Sequence, residues 1–335
     1  MTFLFAACAA FVLTMVGTAL YRPLAVRYRI LANPNFRSLH QRPVPRGGGV
    51  VFAFVAALII GVAGGAMPGQ AGLLPALVGG GLAATMFGFL DDVTSLSPPI
   101  KLACHGLLAA WNLWCFNGAS LVDVWWLPAW IEVAMTWVAL VWLINLYNFV
   151  DGIDGFAAGA AVVLCLAALI VLSVTGGHQE LVMVISVLCA ASAAFLVFNW
   201  PPASIFMGDA GSVFLGYILG VLAVTSVASG TFSVWTWWAL LGYVVADTTT
   251  TTTLRIFVSD RWYGEHRSHA YQNLARIWQS HRRVVGGILV YQALWAAPLA
   301  VLGAASPELA PLSAAAAVLP AVAWTVRYGP LLSSS

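Results

Sequence analysis

The stretch Asn145-Leu146-Tyr147-Asn148-Phe149-Val150-Asp151-Gly152-Ile153-Asp154-Gly155 sets two carboxylates, two amides and two glycines into an otherwise oily chain. Polar groups beside a bilayer are costly unless something uses them. Asn145, Asn148, Asp151 and Asp154 recur every third residue, and neighbours three apart are close on a helix. Each step of three falls about 60° short of a full turn. The four therefore converge only where the helix ends or bends, which Gly152 and Gly155 permit. Asx and glycine turn chemistry is the plainer alternative. With Asp91, Asp92 and Asp209 these residues make a hard-oxygen set suited to a divalent cation and phosphates.

Three further motifs extend the set. Asp91 and Asp92 are adjacent and repel each other, so they need a cation, a basic partner or water. Lys101, the one lysine of the chain, follows at a distance from which it could reach a phosphate bound there. A solvated turn is the plainer reading of that pair. In Gly208-Asp209-Ala210-Gly211-Ser212 the glycines let backbone amides approach an anion, although Asp209 could serve only as a helix cap. In the run Trp262 to Gln272, His266 and His269 flank Arg267. Metal ligation by the two histidines is possible chemistry; phosphate or sugar binding suits them better, because hard oxygens for an ion stand elsewhere. A cationic loop facing anionic lipid would also carry these residues. Arg46-Gly47-Gly48-Gly49 reads equally as a substrate cradle or as close helix packing. Asp247, before six threonines, reads equally as a functional acid or a structural pair. His40, His105, His178 and His281 receive no role.

The elements that must position these groups are helical. Of 335 residues, 61% are hydrophobic and 8% charged, against about 25% charged in average soluble proteins. That excludes a soluble class. Nucleic acid is not an expected partner; the lipid bilayer is. The five cysteines show no metal spacing and read as small buried hydrophobes. Apolar runs occupy about 2–21, 48–66, 72–90, 99–117, 127–144, 157–175, 180–198, 212–228, 234–254, 285–303 and 310–327. The expected fold is therefore all-α: a polytopic membrane helix bundle of about 11 transmembrane helices in a single domain, 1–335. No basic residue precedes the first run and Arg22, Arg27 and Arg29 follow it, which places the N-terminus outside. The inner loops are then 22–47, 91–98, 145–156, 199–211 and 255–284, with the C-terminus inside. All fourteen Lys and Arg residues fall on that side. So does every dense polar motif.

Taken together, Asp91-Asp92 with Lys101, Asn145-x-x-Asn148-Phe149-x-Asp151-Gly152-x-Asp154-Gly155, Gly208-Asp209-x-Gly211-Ser212 and His266-Arg267-Ser268-His269-x-Tyr271-Gln272 resemble the polyprenyl-phosphate N-acetylhexosamine-1-phosphate transferases, glycosyltransferase family 4. The resemblance covers most of the chain, with the motifs in order. It implies transfer of a sugar 1-phosphate from a UDP-N-acetylhexosamine to undecaprenyl phosphate, with release of UMP. It also implies a need for Mg²⁺, Mn²⁺ being an alternative, and a site on the cytoplasmic face of a bacterial inner membrane. Arg267 and Ser268 interrupt the histidine run usual in the peptidoglycan branch. That favours the branch that starts O-antigen or related surface polysaccharides. On this resemblance Asp209 holds the metal, with Asp151 as second ligand or support. Asp91 and Asp92 orient or deprotonate the lipid phosphate. Asn148 and Asp154 hold the nucleotide, Asn145 lies on the substrate side, and Lys101, His266, Arg267 and His269 hold phosphate and sugar. A homodimer is left open.

Two other classes fit less well. A secondary transporter would set its acids near the midplane in repeated halves; only Asp247 fits, and no repeat is visible. A CDP-alcohol phosphotransferase would need an arginine soon after Asp154-Gly155, where Phe156-Ala157-Ala158-Gly159 stands instead.

Overall fold

The computed structural model describes residues 2–32, 43–65, 72–122, 124–258 and 268–330. Every apolar run expected from the sequence is a helix. They are α1 (Thr2–Arg27), α2 (Gly49–Gly64), α3 (Gly81–Thr94, entered through a π-helical turn at Pro75–Gly80), α4 (Pro98–Cys115), α5 (Ala129–Val150), α6 (Phe156–Thr175), α7 (Gln179–Asn199), α8 (Asp209–Ala228) and α9 (Val234–Val258). The short α10 (Ala270–Trp278) follows, then α11 (His281–Tyr291) running through a π turn into α12 (Ala297–Ala305), and finally α13 (Ala310–Tyr328). Among the described residues, eight helical stretches are long and apolar enough to cross a membrane, and α2 is a shorter apolar helix. α4 carries Lys101 and His105, and α9 carries Asp247 and the threonines; both are more polar.

Several helices run further than the apolar runs suggest. α3 continues through Asp91 and Asp92 to Thr94, where Ser95 turns left-handed (φ 55°) and donates its N–H to the Asp91 carbonyl. α5 continues to Val150 because Leu146, Tyr147 and Val150 keep a buried face below the two asparagines. The expected loops 91–98 and 145–156 are thus shorter than drawn. The expected loop 255–284 contains α10, whose Tyr271, Leu274 and Ala275 are buried while Ile277 and Trp278 are exposed. That is the i, i+3, i+4 stripe of a helix lying on the bundle. Its Asn273 amide donates to the carbonyls of Tyr328 (2.7 Å) and Gly329 (3.0 Å), gripping the end of α13.

The bundle is built around α8. Every residue from Ala210 to Ser226 is buried, as expected for a helix apolar all round. It packs against α2, α3, α4 and α5. Lipid offers no hydrophobic drive between helices, so close backbone approach has to supply the attraction. Small residues allow it: a Cβ on Gly216 would lie 2.7 Å from the Ile144 Cα, and one on Gly88 would collide with the Asp209 carbonyl.

One end of the bundle gathers the polar chemistry. Tyr21 of α1 reaches the Arg46 carbonyl ahead of α2. The C-terminal turns of α3, α5 and α7 meet the N-termini of α4, α6 and α8 there. A two-residue ribbon, β1 (Leu31–Ala32) with β2 (Val44–Pro45), continues the same end. Phe206 donates to the Pro45 carbonyl (2.8 Å), and Gly48 and Gly49 donate to Phe206 and Met207 (3.0 and 2.9 Å). These bonds fix Arg46 beside the start of α8.

Gly88→Ala is expected to lower stability by about 1–3 kcal/mol, as overpacking against backbone does. Gly286→Ala meets nothing within 4 Å and is expected to be neutral or slightly stabilising, since alanine suits a helix better than glycine. Thermal unfolding of both variants in detergent, side by side, checks the contrast.

Candidate functional site

The site grows from the first turn of α8. Gly208 precedes it with φ 74°, a left-handed conformation that glycine alone adopts without strain. No side chain of this segment caps the helix. The cap comes from α3: Asp92 Oδ1 accepts from the Asp209 N–H (2.9 Å) and Oδ2 from the Ala210 N–H (3.2 Å). Gly88, one turn before Asp92, lets α3 come close enough. A side chain on Gly208 would strike the Asp92 carboxylate. Asp151, at the end of α5, accepts from the Gly208 N–H through Oδ2 (3.1 Å). Three successive amides are therefore taken by the protein's own carboxylates, where helix N-termini favour negative charge. Capping by carboxylates is worth about 0.5–2 kcal/mol at each such helix start.

Asp209 does not cap its own helix. Its Oδ2 lies 3.3 Å from Lys101 Nζ and its Oδ1 3.5 Å from Arg46. Lys101 also pairs closely with Asp91 Oδ2, while Asp91 Oδ1 accepts from the Leu96 N–H (2.8 Å). Arg46 also pairs with Asp92 Oδ1 at 2.8 Å. The Asp92 side chain is sealed at 0% exposure and that of Asp209 is 16% exposed, which separates a structural carboxylate from one that a ligand can reach. Both cations are about a third exposed, so they close the outer face of the site.

Charge decides what this arrangement can hold. Asp91, Asp92, Asp151 and Asp209 bring four negative charges; Arg46 and Lys101 return two positive ones. Buried charge left uncompensated is expensive. Asp151 shows the effect: desolvation, then Asp209 and Asp92, push its carboxyl well above the usual carboxylate range, against the opposing pull of Arg46 and the Gly208 N–H. The excess of two negative charges and the hard-oxygen donors fit a divalent cation. Among the described residues, no three His, Cys, Asp or Glu side chains form a ready-made metal cage. Such an ion would be held by Asp209 and Asp151 together with oxygens of the substrate.

The other residues singled out in the sequence divide. Asn148 joins the centre through Ser212 Oγ (3.3 Å) on the first turn of α8. Asn145 bonds back to the Val141 carbonyl (2.8 Å) one turn away. Asp154 enters a second cluster, accepting from the Ala203 N–H (2.9 Å) and facing His281 Nδ1 at 3.3 Å. Asn199 ties the same loop, accepting from the Gly155 N–H and donating to the Ile205 carbonyl, both at 3.0 Å. His269 pairs with Asp247 at 2.8 Å. His266 and Arg267 lie outside the described residues. The period-three asparagines and aspartates thus do not converge as a foursome; Asn148 and Asp151 reach the centre. Arg46 reaches it too, from the motif that read equally as packing. Gly88 and His281 were passed over. A lone glycine inside a helical run and a lone histidine after a serine give no signal of partners so far along the chain.

Residues 74–227 match the family model described as glycosyl transferase family 4. A decaprenyl-phosphate N-acetylglucosaminephosphotransferase of Mycolicibacterium smegmatis is 30% identical over 341 residues, covering 89% of this chain and 80% of the relative. The chain belongs to the polyprenyl-phosphate N-acetylhexosamine-1-phosphate transferases. A probable undecaprenyl-phosphate N-acetylglucosaminyl 1-phosphate transferase of Bacillus subtilis is similar at 28% identity over 286 residues, 81% of this chain and 76% of the relative. A phospho-N-acetylmuramoyl-pentapeptide-transferase of Chlamydia trachomatis is 36% identical over 128 residues, 38% of each chain. The transferase is a multi-span membrane enzyme. The family-matched segment runs from the entry of α3 to the end of α8, so it holds all four carboxylates of the centre and Lys101. Arg46 and His269 lie outside it.

The Asp151 shift has a sign in solution. Its native carboxyl binds a proton more tightly than the unfolded one, so its contribution to stability falls as pH rises from the ordinary carboxylate range through the raised native value. In a chelator, Tm is expected to drop over that window, and Asp151→Asn is expected to flatten the drop. Added Mg²⁺ should raise Tm more at pH 8 than at pH 5. Scanning fluorimetry in detergent at both pH values reads all three.

Proposed function

We propose that this transferase moves N-acetylhexosamine 1-phosphate from a UDP-sugar to undecaprenyl phosphate, releasing UMP, as the first membrane step of O-antigen or related surface-polysaccharide synthesis. The observation that carries the reading is the first turn of α8, where Asp209 opens toward solvent between Lys101 and Arg46 while Asp92 and Asp151 hold the backbone beneath it. In the reaction an oxygen of the lipid phosphate bonds to the β-phosphorus of the donor. The bond from that phosphorus to the bridging oxygen breaks, and UMP leaves with the electron pair. A bound Mg²⁺, or Mn²⁺ in its place, supplies positive charge to the diphosphate and to the leaving phosphate.

The chain's own residues divide the remaining work. Asp209 and Asp151 would hold the ion. Lys101 and Arg46 stand where phosphate oxygens must approach Asp209, and each can donate charge-assisted hydrogen bonds to them. Asp91 sets the position of Lys101. Asp92, sealed and bonded to two amides, acts by placing the first turn of α8 rather than by touching the acceptor. No general base is required, because a phosphate monoester is largely ionised near neutral pH. Asn148, which donates to Ser212 on α8, would hold the nucleotide, and Asp154 would support it through the loop from Asn199 to Met207, where it accepts from Ala203. The cytoplasmic face of a bacterial inner membrane is supported by the basic residues around this end, among them Arg27, Arg46, Lys101 and Arg282. The interrupted histidine motif supports a plain UDP-N-acetylhexosamine over a peptide-bearing donor.

Asp209→Asn and Asp91→Asn, purified and assayed for UMP release with Mg²⁺, are each expected to lose about 10²-fold or more of kcat, as removal of a preorganised electrostatic group does. Activity near wild type in both would remove the proposal. Assay against a panel of UDP-sugars, with mass spectrometry of the lipid product, is expected to show an N-acetylhexosamine on the diphosphate. Turnover of a peptide-bearing donor alone would overturn the branch.

A further inference from the structure

The segment between α7 and α8 is neither helix nor strand, yet Ala203, Ile205 and Met207 on it are buried. Buried irregular backbone has to find its hydrogen bonds outside regular structure. Here they come from three directions. Arg282 donates from Nε (3.3 Å) and from Nη2 (2.9 Å) to the Pro201 carbonyl. Asp154 Oδ2 accepts from the Ala203 N–H at 2.9 Å. Asn199 donates to the Ile205 carbonyl and accepts from the Gly155 N–H. The chain then gives the Phe206 N–H to Pro45 and the Gly208 N–H to Asp151. Asp209 is the next residue.

Two of these holds meet at the first turn of α11. Gln279 turns left-handed (φ 48°), Ser280 caps the helix by accepting from the Arg283 N–H, and Val284 and Val285 are buried one turn on. His281 and Arg282 are thereby set against the loop. His281 Nδ1 stands 3.3 Å from Asp154 Oδ1, and the Asp154 side chain is 4% exposed. Both oxygens of Asp154 are thus engaged within the protein, one by His281 and one by a loop amide. A carboxylate enclosed in this way carries position. Packing alone asks for nothing of the kind, since Val284 and Val285 already anchor α11 by apolar contact. A polar network whose members are satisfied rigidifies and fixes one arrangement.

We propose that His281 and Arg282 are positioning residues of the transferase reaction: from α11 they lock the loop 200–208 against Asp154, and the loop sets Gly208 and Asp209 for the divalent cation. This rests on reading Asp209 as a ligand of that ion. Both residues lie outside the family-matched segment 74–227, so the placing of an acid within that segment depends on a helix beyond it. Groups that orient a metal ligand from behind matter nearly as much as the ligand itself.

The test uses the full chain in lipid nanodiscs and begins without metal. In chelator, hydrogen exchange read by mass spectrometry is expected to run faster over 199–208 in His281→Ala and in Arg282→Ala than in the wild type, with 214–226 unchanged. Mn²⁺ affinity, read by electron paramagnetic resonance, is expected to fall about 10- to 100-fold in both, and kcat for UMP release with it. His281→Asn, whose amide can take the place of Nδ1, is expected to recover most of each loss. Arg283→Ala removes the same charge from an exposed neighbour and is expected to change neither reading. Unchanged exchange in both alanine variants overturns the proposal. So does faster exchange with Mn²⁺ affinity intact, which reduces the clamp to a feature of the fold. An equal loss in Arg283→Ala also overturns it, leaving surface charge as the cause. Should both alanine variants fail to fold, the wild type decides, and an Ala203 amide that exchanges as fast as open chain sinks the proposal. A wild type that binds no Mn²⁺ sinks the reading of Asp209 itself, whatever the exchange shows.

Discussion

The structure depends on one constraint: the amides that open α8 are satisfied by carboxylates from other helices. Unpaired N–H groups at a buried helix start would be costly. Asp92 and Asp151 meet that need, and in doing so they fix α3 and α5 against α8. The arrangement works only because the backbones can nearly touch. Gly88 and Gly208 leave the space for the Asp92 carboxylate and the turn beneath it. Stability and chemistry share the same residues here, so a change at this point alters both.

From that anchor the electrostatics follow. Sealing Asp92 and bonding Asp151 leave Asp209 as the carboxylate facing outward, with a lysine and an arginine on either side. The two cations come from different parts of the chain, Arg46 ahead of α2 and Lys101 on the first turn of α4. The ribbon of β1 and β2, with its bonds to Phe206 and Met207, keeps Arg46 in place. A mobile arginine on a long loop would give up rotamer freedom on meeting a ligand, and this one has already done so in part. Arg46 and Lys101 are thus in place for phosphate oxygens before any substrate arrives, on a centre whose carboxylates outnumber them.

Much of this was legible in the residues alone. Hydrophobic runs declared the helices, since a spanning segment has little choice of composition. The gathering of Asp91, Asp151 and Asp209 at one end followed from alternation of those runs. Helix ends were less legible: Asn145 and Asn148 look like loop residues, yet α5 carries them because Leu146, Tyr147 and Val150 remain buried. The division of labour among the aspartates was hidden as well. Asp91 and Asp92 are neighbours of identical chemistry, and only the 100° between successive helical residues sends one to Lys101 and the other to the α8 amides. Asp154 carries the same signature as Asp151 but faces His281, a partner 127 residues later that no spacing rule reveals.

The grip of α10 on the end of α13 bears on how the protein is made. Asn273 holds the carbonyls of Tyr328 and Gly329, and Thr325 leans on Asp247. Residues 74–227 leave the ribosome before α13 does, so the support behind His269 waits for that helix. A truncated chain in the bilayer would therefore carry the acidic centre without its final brace. Synthesis through α13 becomes a condition for assembling that side of the enzyme.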